Sequence, residues 1–108
     1  MKLIDAHHHL WEPQTLPYTW LRQIGKPKPF GDPTAIQRNY LPKDYLQDFT
    51  EAKDFELVGT VHVQADSALP EPVKETNWLD QLNSSIPSGI VGFADLSKDN
   101  LREILGQH

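Results

Sequence analysis

Residues 57–64 read Leu-Val-Gly-Thr-Val-His-Val-Gln, a nearly continuous apolar run rich in β-branched side chains. Such a run suits a parallel strand covered on both faces, because a strand with one wet face alternates apolar and polar residues instead. A helix pattern flanks it on either side. Pro42, tolerated in a first helical turn, opens Lys43 to Lys53, where Tyr45, Leu46, Phe49 and Ala52 recur at spacings of three and four. After the turn-like Asp66 to Pro72, residues Val73, Trp78, Leu79, Leu82 and Ile86 fit one side of a second helix that ends near Ser84 to Pro87, where Pro87, Ser88 and Gly89 stop it. Ile90 to Leu96 returns to strand with Asp95 at its carboxyl end, and Ser97 is placed to cap a last helix, Lys98 to Leu105. With a further strand at Leu3 to His9, this order predicts an α/β fold of parallel βα units joined by right-handed crossovers.

The first of these strands carries Asp5-Ala6-His7-His8-His9. Side chains alternate along a strand, so His7 and His9 point one way and His8 the other. Two imidazoles on one face are spaced to reach a single metal ion, although zinc takes about three or four protein ligands. Asp5 shares their parity but lies deeper, where it is read either as orienting an imidazole from behind or as a packing residue. Two plainer readings stand beside this one: part of a purification tag, or histidines that are merely buried and hydrogen-bonded. The chain has no cysteine, so disulfides and thiolate sites are excluded and any metal must be held by imidazole and carboxylate.

From Glu12 to Leu41 the chain is dense in proline and is expected to form a long loop, with one helical turn near Tyr18 to Gln23. Long loops inside compact domains are often functional. Either Trp11, Tyr18, Trp20 and Phe30 wall a substrate pocket, or these aromatics simply pin the loop to the fold. On the second strand, His62 and Gln64 share one face, read here as pointing into the sheet's inner side; a structural His62 is the alternative.

Net charge is −5 and the pI about 5.4, so nothing electrostatic favours nucleic acid or an anionic membrane as partner. No apolar run is long enough to span a bilayer and the start lacks the apolar core of a signal peptide, which makes a cytoplasmic enzyme the default expectation.

Asp5-Ala6-His7-His8-His9-Leu10-Trp11 resembles the first strand of the amidohydrolase superfamily, in particular the amidohydrolase-related branch that holds sugar-lactone hydrolases. Thr60 to Ala65 looks like that family's second strand and Gly89 to Leu96 like its third. The resemblance implies that residues 1–108 are the opening part of a (β/α)8 barrel, with His7 and His9 as ligands of a divalent ion, Zn or Mn, in a branch that varies in whether it needs one. It further implies a small-molecule substrate, a sugar lactone or related ester or amide attacked by water, with Trp11, Gln64 and Asp95 as substrate contacts. The family's remaining ligands and its general base, on later strands, have no counterpart here. A complete barrel needs roughly 250 residues, so a fragment and a small non-catalytic α/β module that binds a metal or a protein are the two readings of the length. Three strands of an open barrel expose apolar edges, so an isolated chain is expected to be unstable or to associate through them.

Overall fold

The computed structural model describes residues 1–22, 29, 31–66 and 71–108. Strands β1 (Lys2–His8), β2 (Glu56–Val63) and β3 (Gly89–Val91) form one sheet in the order β1-β2-β3, and both pairings are parallel. Helices α1 (Thr19–Arg22), α2 (Pro42–Phe49), α3 (Val73–Gln81) and α4 (Leu101–Gln107) alternate with them, and a 3₁₀ turn occupies Thr34–Ile36. The expected parallel α/β order is therefore present.

Several boundaries differ from the sequence reading, each for a local reason. β3 stops at Val91 and not at Leu96, because β2 ends at Val63 and Asp66 turns the chain away with φ 55°. α3 ends at Gln81 with Leu82 as its cap, a little short of the expected Ser84 to Pro87, since Asn83 takes the left-handed conformation (φ 49°) that closes a helix. Ser97 does not cap α4. Its backbone N–H and hydroxyl both donate to Asp95 Oδ1, at 2.9 and 2.7 Å, and the helix starts after Asn100.

The long loop after β1 is not structureless. Leu10, Leu16, Tyr18 and Leu21 from it pack with Ala65, Trp78 and Leu79 to make the core. Trp11 and Tyr40 close it with a reciprocal pair of backbone hydrogen bonds, 3.0 and 2.8 Å, and their rings stack 4.8 Å apart. The helical turn expected near Tyr18 is present as α1. The opposite side of the sheet is open: Ile4 is 66% exposed and Val91 51%.

Candidate active site

The register of β1 against β2 decides which way its histidines point. Asp5 pairs with Thr60 and His8 with His62, so three steps on β1 match two on β2 and the strand bulges. The bulge puts His8 and Asp5 on the same side, toward α2. His8 is buried with its ring 4.7 Å from that of Tyr45, while Asp5 Oδ2 accepts from the Tyr45 hydroxyl at 2.7 Å. Asp5 therefore does not orient an imidazole ring, and its other oxygen accepts the His7 backbone N–H at 3.1 Å. Burial raises the Asp5 pKa, but the Tyr45 hydroxyl, the His7 amide and the nearby His8 outweigh it and the net shift is downward. Neither ring nitrogen of His8 has a hydrogen-bond partner among the described residues. Burial lowers the pKa of His8, Asp5 opposes that shift, and His62, His9 and His7 add to it.

His7 and His9 are exposed and adjacent, with ring centroids 5.1 Å apart and planes at 80°. His9 Nδ1 lies 2.7 Å from the Val63 carbonyl oxygen. A carbonyl only accepts, so Nδ1 carries the proton and Nε2 keeps a bare lone pair, the tautomer a metal-binding imidazole needs. An ion about 2.0–2.1 Å from each ring nitrogen, at a tetrahedral angle, puts two ring centroids about 5 Å apart. The observed separation fits two ligands of such a site. It does not complete one, because no group of three or more His, Cys, Asp or Glu is arranged to hold a metal among the described residues.

His62 lies beside this pair, its ring 6.3 Å from that of His9, but both of its nitrogens are already engaged. Its Nδ1 accepts the Leu10 N–H at 3.1 Å, so the proton sits on Nε2 and is donated to Glu75 Oε1 at 2.8 Å. The same Glu75 oxygen accepts the Ala65 N–H at 2.8 Å. Both groups are buried. The inward-facing reading of His62 is thus corrected: α3 supplies the carboxyl that satisfies it, and the arrangement ties the exits of β1 and β2 to that helix. Glu75 went unnoticed in the sequence. The available signal was its spacing from Trp78, Leu79 and Leu82, which puts a carboxyl on the buried stripe of the helix.

At the carboxyl end of the sheet lies a cavity of about 440 Å³ lined by His9, Trp11, Trp20, Ile36, Gln64, Ala65 and Asp66. Trp11 and Gln64, read from the sequence as substrate contacts, are brought together here with His9. Asp95 stands at the exit of β3, bonded to Ser97, and is not among the lining residues. Tyr18 is fully buried and its hydroxyl accepts the Glu12 N–H, so it pins the loop and walls nothing. Phe30 lies outside the described residues.

The chain aligns at 41% identity over 108 residues with the uncharacterised protein y4mH of Sinorhizobium fredii, covering 98% of this chain and 35% of that protein. Among solved structures it superposes on Amidohydrolase 2 from Bifidobacterium longum subsp. infantis with a TM-score of 0.64, over 83% of this chain and 32% of that one. The likeness is one of fold. Sequence identity in that superposition is 20%. No protein-family model matches the chain. The chain spans about a third of the length of each of these relatives. No helix among the described residues is long and apolar enough to cross a membrane.

Proposed function

We propose that this chain is the opening part of a (β/α)8 hydrolase of the amidohydrolase-related kind, which directs water at the carbonyl of a lactone, ester or amide. The observation that carries the reading is the His7–His9 pair, 5.1 Å apart, with the His9 tautomer held by Val63 O so that Nε2 keeps its lone pair. The fold likeness to an amidohydrolase supports it. His7 and His9 would hold a divalent ion, Zn or Mn, which when bound polarises a carbonyl and lowers the pKa of water toward about 7. Around it, Gln64 offers an amide N–H₂ to the substrate carbonyl, and Trp11 and Trp20 shield the reacting bond from bulk water. Further ligands and the proton-accepting group belong to strands that this chain does not contain.

The test is calorimetric titration with Zn²⁺ and Mn²⁺ of the wild type, His7→Ala and His9→Ala. Each single substitution is expected to weaken binding at least about tenfold, the scale on which losing even a supporting contact acts. Equal affinity in all three proteins would overturn the reading.

A further inference from the structure

We propose that the part of the cavity built by this chain receives the flat, apolar portion of its ligand, so that the substrate is an aromatic or hydrophobic lactone, ester or amide and not a polyhydroxylated one. The inference rests on reading the cavity as the substrate site of the hydrolase proposed above. It follows from asking which polar atoms in the wall are still free. Trp11 Nε1–H donates to Ile36 O at 3.0 Å and Trp20 Nε1–H to Ala65 O at 2.8 Å, so both indole donors are spent and each carbonyl already accepts one bond. Gln64 Oε1 accepts the Asp66 N–H at 2.6 Å, the Ala65 N–H goes to Glu75, and His9 Nδ1–H goes to Val63 O.

What remains is sparse and lies together. His9 Nε2, the Gln64 amide nitrogen and the Asp66 carboxylate are the lining side-chain groups without a hydrogen bond among the described residues. The Gln64 amide suits a single substrate carbonyl, and His9 Nε2 is the position given above to the ion that would polarise it. The rest of the wall, among the described residues, is indole ring, Ile36 and the Ala65 methyl. A ligand hydroxyl placed there would give up its bonds to water and find no free donor among these groups and only the second lone pair of an already bonded carbonyl, a loss that binding sites penalise. A planar apolar body loses nothing there and gains ring contact. One Trp11 face is covered by Tyr40, which fixes the indole as a wall and keeps it from swinging to meet a polar group.

The test uses the full chain with chelator present and two stable amides as probes, benzamide and gluconamide. The chain's tryptophans provide a built-in control: Trp11 and Trp20 line the cavity, whereas Trp78 donates to Glu12 and does not. Benzamide is expected to shift the indole N–H resonances of Trp11 and Trp20 but not Trp78, with a Kd at least about tenfold below that of gluconamide. Ile36→Gln and, separately, Trp20→Leu should each weaken benzamide binding, and an unmoved Trp78 resonance reports that the variant is folded. Gluconamide binding as tightly as benzamide, neither probe binding, or shifts that spare Trp11 and Trp20 would each overturn the inference. Failure of the hydrolase reading is distinguishable, because it appears as absent metal binding at His7 and His9 while the benzamide preference persists.

Discussion

Glu75 Oε1 accepts hydrogen bonds from both His62 and Ala65, so one buried oxygen secures the exit of β2 and, through the Leu10 N–H on His62 Nδ1, that of β1. Glu75→Ala leaves two buried donors without partners and should destabilise the chain by about 2–4 kcal/mol in urea unfolding. Glu75→Gln keeps a carbonyl oxygen at the same place and should cost less than about 1 kcal/mol. Equal losses would show that the charge, not the acceptor, holds this corner. His8 makes a prediction in pH. Its pKa is lowered in the folded protein, chiefly by burial, so below about 6.5 the unfolded chain binds more protons than the folded one. Stability should therefore fall as pH drops from 7.5 toward 5.5. Replacing His8 with Leu should flatten that slope, measured by unfolding midpoints in chelator; an unchanged slope would place the titration elsewhere.

Among the elements, α3 shows how a single residue sets a length. Asn83 ends the helix at φ 49°, where a side chain with a Cβ costs about 1–2 kcal/mol unless it is short and polar. Asn83→Ala should lower the melting temperature and Asn83→Gly should not; the reverse order would mean that the turn is held by other contacts. The pattern of this helix was legible because Val73, Trp78 and Leu79 recur at helical spacing, but its end was not, since Pro87 is the louder stop signal. The strands behaved likewise. A period of two brings His7 and His9 together, and that survives in the structure. The same period aligned Asp5 with them and turned His62 inward, and both failed: a bulge re-aimed Asp5, and a partner from another element captured His62. Register shifts and cross-element partners depend on tertiary pairing, which alternation along one strand does not encode.

The whole molecule is more open than its length requires. A 108-residue domain is expected to have a radius of gyration of about 13 Å, against the 15.3 Å found here. Its surface of 7541 Å² likewise exceeds the roughly 6,100 Å² usual for 12.3 kDa. Part of the excess is apolar, on the uncovered side of the sheet around Ile4 and Val91, with β1 and β3 both at edges. We expect the chain on its own to elute above its monomer mass, increasingly so with concentration, and the double substitution Ile4→Lys, Val91→Lys to restore a monomer. Concentration-independent monomer elution of the wild type would refute this. Where Trp11 and Tyr40 join backbones, the two ends of residues 12–39 are stapled to each other. Leu16, Tyr18 and Leu21 within that segment belong to the core, so it is not exchangeable as a whole; selectivity between descendants is free to diverge at the positions facing the cleft, Trp20 and Ile36, while the imidazoles beneath keep their stations and the chemistry need not be rebuilt.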